Sequence, residues 1–315
     1  MTTISKSIDC PLCNQGAYHV LAIPIPVYGK RYAIHHCRSC KISFTHPFPS
    51  PDDLNRIYSG EYWIREATLK KKGVVGRAVD SFNQTRLAML IRPLLKKLSP
   101  GASILEVGCG SGHLAAHIKQ CGFEIEVTDI SKDILQEVQS RLTIPAYCGN
   151  FEGITFHRQY DAIVFNNVLE HLPSPDQAIA TASKLLNRGG IIFLEVPNIN
   201  SYQFNLFRAK WFHLRIPQHL FHFTSEALDK IMHEYALERI WLSTYSPRTS
   251  AAGYAASLSP SLQPEKLRQS WSRPRLFLYL TIQISVMPIV FFEFLLGKGG
   301  VLRAMYQKTN AIKNV

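Results

Sequence analysis

The chain has 315 residues, 46% of them hydrophobic, enough for one large core or two smaller ones. Its 35 basic and 23 acidic residues give a formal charge of +12, which attracts phosphates, nucleic acid or an anionic membrane surface and does not choose among them. The opening Met-Thr-Thr-Ile-Ser-Lys-Ser-Ile-Asp lacks the continuous apolar core of a secretory signal, so a cytoplasmic location with reduced cysteines is expected.

In chain order, Cys10-Pro-Leu-Cys13 and Cys37-Arg-Ser-Cys40 come first. Two C-x2-C pairs at this separation fit a tetrahedral structural Zn2+ site, with Cys10, Cys13, Cys37 and Cys40 as ligands. Short strands are expected over 18–23 and 31–36, making residues 1–48 a zinc-ribbon module. His35 or His36 could replace a thiolate, but four thiolates already complete the shell, and two pairs disfavour a redox dithiol. Cys109, Cys121 and Cys148 are scattered and are expected only to pack.

Three prolines in Thr45-His-Pro-Phe-Pro-Ser-Pro51 mark a junction into a helical connector over 49–98. Ser50-Pro51-Asp52-Asp53 starts a helix well, with a cap residue, a first-turn proline and two acids near the positive end of the dipole. Tyr58, Tyr62 and Trp63 are expected to pack rather than roof a cleft, and Lys70-Lys-Lys72 to be a solvated loop. Helical spacing then runs from 80 to 98 through Leu87, Leu90, Ile91, Leu94 and Leu95.

From residue 99 to 315 strand and helix patterns alternate: strands near 103–107, 124–128, 144–147, 161–165 and 190–196, with helices over 112–121, 132–141 and 174–187. Such alternation predicts a Rossmann-like, mostly parallel seven-stranded α/β sheet with helices on both faces and ligands beyond the carboxyl ends of its strands. At the first of those ends stand Gly108, Gly110 and Gly112, which allow a sharp turn and bring backbone N–H groups against a ligand. The dinucleotide fingerprint would need glycine or alanine where this chain has His113, which disfavours a nicotinamide cofactor. Asp129 closes the second strand about twenty residues later, where an acid can accept both hydroxyls of a ribose; it also lies at the start of the helix that begins near Ser131.

Glu106-Val-Gly-Cys-Gly-Ser-Gly112, then Asp129, then Tyr160-Asp-Ala-Ile-Val-Phe-Asn-Asn-Val-Leu-Glu-His-Leu172 together resemble the class I S-adenosylmethionine-dependent methyltransferases, over roughly residues 80–250 and a last strand near 301–308. The resemblance implies S-adenosylmethionine as cofactor. Its amino end would be oriented by Glu106 and its methionine part held by Gly108, Cys109, Gly110 and Gly112. The ribose would lie against Asp129 and Ile130, the adenine against Asn150 and Phe151, and the sulfonium against Asn166 and Val168. An asparagine at 150 departs from the family's aspartate, although its amide oxygen can still accept from the adenine amino group. Quinone-pathway relatives carry a metal-holding Glu-x-x-Glu-His after this strand. Here Asn167 replaces the first carboxylate ahead of Glu170 and His171, and the lost charge argues against tight metal binding.

An acceptor-side insertion is expected over 198–224. Its Pro217-Gln-His219-Leu-Phe-His-Phe-Thr resembles the histidine segment of sugar C-methyltransferase relatives, several of which also carry an N-terminal four-cysteine module. Those enzymes show Tyr-His-Glu-His. Only His219 matches here, which makes it the candidate catalytic base for an O- or N-methylation. A helix over 225–235 and strands over 239–245 and 301–308 follow, the last expected antiparallel. Between them, in a helical insertion over 264–297, lies the apolar run 276–296. It is long enough to span a bilayer but broken by Gln283, Pro288 and Glu293, so two amphipathic helices packed on the domain are expected. Peripheral contact with the inner face of a membrane is the alternative. The reading is methyl transfer to a small-molecule or lipid-linked acceptor, such as a sugar or glycan intermediate. The alternatives are an RNA methyltransferase, disfavoured because no Asn-Pro-Pro-Tyr-type segment follows the fourth strand, and a non-enzymatic cofactor-binding scaffold. Oligomeric state is not legible.

Overall fold

The computed structural model describes residues 8–16, 18–20, 25–27, 29–58, 74–269 and 272–309. Tyr62, Trp63 and Lys70–Lys72 lie outside them, as do 21–23 of the first expected strand and the side chain of Tyr58.

The alternating apolar pattern becomes a seven-stranded sheet built from β5 (Ser103–Val107), β6 (Glu124–Asp129), β7 (Ala146–Cys148), β8 (Tyr160–Asn166), β9 (Leu186–Pro197), β11 (Leu237–Ser243) and β12 (Val301–Lys308), ordered β11-β12-β9-β8-β5-β6-β7. Strands β5 to β9 pair in parallel, and β12 enters antiparallel between β9 and β11, as expected. Strand β9 is longer than expected. It starts at Leu186, directly after the helix Pro175–Leu185, and crosses a register shift opposite Tyr160 and Ala162.

All of β5 is buried, and its side chains alternate between two cores. Ile104 joins helices α2 (Val74–Leu95), α3 (His113–Gln120) and α4 (Lys132–Leu142) on one face. Leu105 joins α5 (Pro175–Leu185) and α7 (Ser225–Glu234) on the other. Burial on both faces is what a near-continuous apolar strand requires.

Before this sheet come β1 (Tyr18–Val20), β2 (Ile25–Val27), β3 (Lys30–Cys37), β4 (Ser43–His46) and helix α1 (Pro51–Tyr58). Ser50 and Asp53 cap α1 reciprocally: the Ser50 N–H donates to Asp53 Oδ2 at 2.9 Å and the Asp53 N–H to Ser50 Oγ at 3.2 Å. The N-terminal module is not a separate bead. β4 pairs with β10 (Phe221–His222) of the acceptor-side insertion, giving the order β1-β3-β4-β10 with β2 on β3. Cys10, Cys37, Ile42 and Phe44 share a core with β8, β9, α5 and α7.

After β9 the chain forms α6 (Tyr202–Phe207), and after β11 it forms α8 (Pro247–Leu258), α9 (Pro264–Gln269), α10 (Arg273–Ser285) and α11 (Met287–Leu295). The apolar run thus forms two helices packed on the domain, as expected, but their outer side is apolar where an amphipathic helix would be polar. Only one side, with Ile282, Val286 and Val290, meets Ala251 and Tyr254 of α8, and ten large apolar residues between Phe277 and Leu296 remain exposed.

Candidate functional site

The three glycines sit where β5 turns into α3, with φ values of +68°, +48° and +66° at Gly108, Gly110 and Gly112. At Gly108 a Cβ would lie 2.7 Å from Cγ2 of Val168, and at Gly112 one would lie 2.8 Å from Cγ2 of Val138. Both positions therefore require glycine by conformation and by space. The Gly110 N–H donates to Asp129 Oδ2 at 3.0 Å, and the Ser131 N–H to Asp129 Oδ1 at 3.0 Å. Ser131, not Asp129, caps α4, its Oγ accepting from the Ile134 N–H. Asp129 is thereby fixed against the glycine loop.

Glu106, in β5 two residues before Gly108, is 2% exposed, and its Oε2 has no hydrogen-bond partner among the described residues. Burial, with the nearby Asp129 charge adding to it, pushes its carboxyl up to about 8. A cationic group placed there would reverse that shift. Cys109 is buried beside Glu106 and its thiol is held far above the usual range, chiefly by burial. It is an inert packing thiol.

The other expected contacts are unequal. Asn150 is exposed at the end of β7, on the rim of an open cleft of about 550 Å³ shared with Tyr147, Gly149 and Ile154. Ile130 is exposed beside Asp129. Phe151 turns inward, its ring edge-on to Phe165 at 5.8 Å, so its side chain belongs to the core. Asn166 ends β8, and Asn167 adopts φ +54°. The Asn167 amide donates to Asn166 Oδ1 at 3.1 Å and to Glu195 Oε1 at 3.2 Å.

Glu195 and Arg303 were missed in the sequence. They face each other in register on β9 and β12, and Arg303 Nε donates to Glu195 Oε2 at 2.6 Å in the buried interior. This pair holds Asn167, and so the turn that brings Val168 against Gly108. The available signal was a single acid, Glu195, in the otherwise apolar run 191–197 and a single base, Arg303, in the otherwise apolar run 301–306.

His219 does not reach the glycine loop through any described contact. It is 4% exposed, packs edge-on to His171 at 4.6 Å, and leaves Nδ1 unpartnered. Burial first, then His171 and Arg215, push its imidazole well below the usual range, so it is neutral at neutral pH. Glu170, His171 and His219 offer ligand atoms within 4.8 Å of one another, and neither Glu170 oxygen has a hydrogen-bond partner among the described residues. Burial raises Glu170 to about 8 and lowers His171 to about 4. The third member of this cluster comes from the insertion, while the Asn167 amide turns to Glu195 instead. The segment is held from two sides: the Leu220 N–H donates to the Glu170 carbonyl at 2.8 Å, and Thr45 Oγ1 of β4 donates to the His219 carbonyl at 2.6 Å.

In the N-terminal module the four sulfurs converge, with Cys10 to Cys40 at 3.6 Å and Cys13 to Cys37 at 3.5 Å. A tetrahedral ion with metal–sulfur bonds of about 2.3 Å needs sulfur separations of about 3.8 Å. Each pair sits on the same knuckle: the N–H of Asn14 or Lys41, both at positive φ, returns to the carbonyl of Cys10 or Cys37. The shared Cys10–Cys40 hydrogen bond draws Cys10 down and pushes Cys40 up, while burial pushes Cys13 up.

A parallel sheet closed by an antiparallel β12, with a glycine turn, a ribose-height acid and a buried acid at its carboxyl edge, defines a Rossmann-like methyltransferase fold. A family model described as a methyltransferase domain matches residues 79–240. The chain belongs to this methyltransferase family. It is 27% identical over 117 residues to the ubiquinone biosynthesis O-methyltransferase of Hydrogenovibrio crunogenus, covering 34% of this chain and 48% of that one. The chain thus spans about half the length of the curated relatives it matches. Among solved structures, the cyclase SpnF superposes with a TM-score of 0.50 at 14% identity, over 84% of this chain and 98% of that one. The O-MT segment of StiE does so with a TM-score of 0.50 at 16% identity, over 79% and 82%. At these identities the likeness shows the fold alone.

Proposed function

We propose that this chain transfers a methyl group from S-adenosylmethionine to an oxygen of a small or lipid-linked acceptor. The carrying observation is the pairing of a glycine turn at positive φ with a fixed Asp129 and a buried Glu106 whose Oε2 has no partner among the described residues. Those residues fit the cofactor: Glu106 would meet its amino end, the loop amides its carboxylate, Asp129 its ribose, and Asn150 its adenine. The bound cofactor supplies an electrophilic methyl on a sulfonium. The protein's contribution is to hold the acceptor in line with that methyl and exclude water, so that catalysis comes mainly from orientation. The O-methyltransferase relatives favour an oxygen acceptor. Asn166-Asn-Val-Leu follows β8 in place of an Asn-Pro-Pro-Tyr-type segment, which favours a small or lipid-linked molecule over RNA.

His219 remains our candidate base. Its imidazole is neutral and its Nδ1 has no partner among the described residues, so it can accept a proton, although burial makes it a weak base in the ligand-free protein. A second reading is favoured by the two bare oxygens of Glu170: one carboxylate and two neutral imidazoles suit a divalent transition ion, which would lower the pKa of a coordinated hydroxyl. In the N-terminal module, residues 1–48, we infer a structural Zn2+ held by the four cysteines, with the chain in the cytoplasm, where thiols stay reduced.

Titration calorimetry of ligand-stripped protein with S-adenosylmethionine and S-adenosylhomocysteine tests the reading. Saturable binding, weakened at least about tenfold by Asp129→Ala, is expected. A folded protein that binds neither would refute it.

A further inference from the structure

The helices α10 and α11 form one nearly continuous rod of 22 residues, Pro274–Leu295, turned at Val286 ahead of Pro288. Its inner side carries Ile282, Val286, Val290 and Glu293. The Glu293 carboxylate accepts from the Tyr254 hydroxyl and, at 3.5 Å, from the Gln203 amide. Polar and apolar contacts thus bind this side to α8. The outer side would ordinarily be charged. Instead it presents Phe277 at 73% exposure, Ile284 at 73%, Phe292 at 59% and Leu295 at 61%. Between Arg275 and Lys298 the only charged residue is the buried Glu293. Such a stripe exceeds what a soluble surface leaves in water without a partner.

The ends of the rod decide how a bilayer could meet it. It follows α8, which packs on the domain, and runs within six residues into β12, which is locked between β9 and β11. The Asn198 amide donates to the Gly299 carbonyl at 2.9 Å and the Tyr202 N–H to the Lys298 carbonyl at 3.1 Å, tying its exit to the carboxyl end of β9. Both ends are held by one folded body, whereas a span would carry one of them about 30 Å away. Charge selects the partner. From 251 to 300 the sequence has five basic residues, Lys266, Arg268, Arg273, Arg275 and Lys298, against Glu265 and the buried Glu293. Exposed Arg208 and Lys210 follow the exposed Leu206 of neighbouring α6.

We propose that the outer face of the Pro274–Leu295 rod lies in the headgroup boundary of an anionic phospholipid bilayer, parallel to its plane, with its apolar side chains in the acyl region and its flanking basic residues on the headgroups. This surface is independent of which acceptor is methylated.

The test is flotation of the full chain with vesicles of phosphatidylcholine alone and with a third of that lipid replaced by phosphatidylglycerol. Binding to the anionic vesicles, weakened at least about tenfold by the double variant Ile284→Asp, Phe292→Asp, is expected, with the melting temperature kept because both side chains are exposed. No flotation with either lipid would overturn the proposal. So would wild-type dimers that the double variant dissociates while vesicle binding is unchanged, since the face would then be covered by a second copy. Retention in the membrane after alkaline carbonate extraction would indicate a span and overturn the in-plane geometry. Should the double variant fail to fold, Ile284→Trp with brominated lipids decides: quenching above the wild-type background supports insertion, and its absence refutes it.

Discussion

Glu106 is buried without a full set of partners, and this makes the ligand-free protein sensitive to pH. A carboxyl raised from 4.5 to about 8 keeps its proton in the folded chain across a window in which the unfolded chain has lost it. Folding stability from this group is therefore complete below about 4.5 and is lost as pH rises towards 8, on the order of a few kcal/mol in total. Melting temperatures measured between pH 5 and pH 8 should fall for the wild type and fall less for Glu106→Gln; parallel curves would mean the carboxyl is not held up. The slope left in the variant belongs to other buried carboxyls, Glu170 among them. Gly108 gives a second test. Alanine there must adopt φ +68° and press on Val168, a cost of about 1–3 kcal/mol. Val168→Ala in the same background should recover only the part due to the clash. Full recovery in denaturant titrations would show that the backbone angle costs nothing.

At the scale of elements, the strands and helices of the central sheet were legible because both periodicities were strong and glycines punctuated them; Ser103–Val107 and Val301–Lys308 fall where the pattern puts them. Legibility fell where tertiary contact decides. β10 is only two residues long and exists because β4 pairs with it. The 276–296 run has the same composition whether it faces a core or a lipid. His219 could be singled out by motif, but its union with Glu170 and His171 depends on that short pairing, which no local signal announces. The convergence of the cysteine pairs was legible from their spacing, and the zinc we infer there is testable. Purified protein should hold about one zinc per chain. Cys10→Ser should lower that content and destabilise the fold, because Cys10 shares a core with β8 and β9. Elemental analysis with thermal melts checks both, and unchanged stability without metal would exclude a structural ion.

At the scale of the whole molecule, the β4–β10 pairing couples the two ends of synthesis. Thr45 and His219 are 174 positions apart, yet they share a hydrogen bond. An emerging chain therefore presents β4 as an open sheet edge until residue 222 has been made, a delay of roughly 10–35 s at ordinary translation rates. Such an edge invites pairing with other chains. Closing the four-thiol cluster, whose last ligand is Cys40, requires nothing made later, so metal capture can fold the module back on itself long before its partner strand exists. The cysteines would then act as a timer-independent guard on the nascent chain, and the docking that completes the histidine cluster would be among the last events in its maturation.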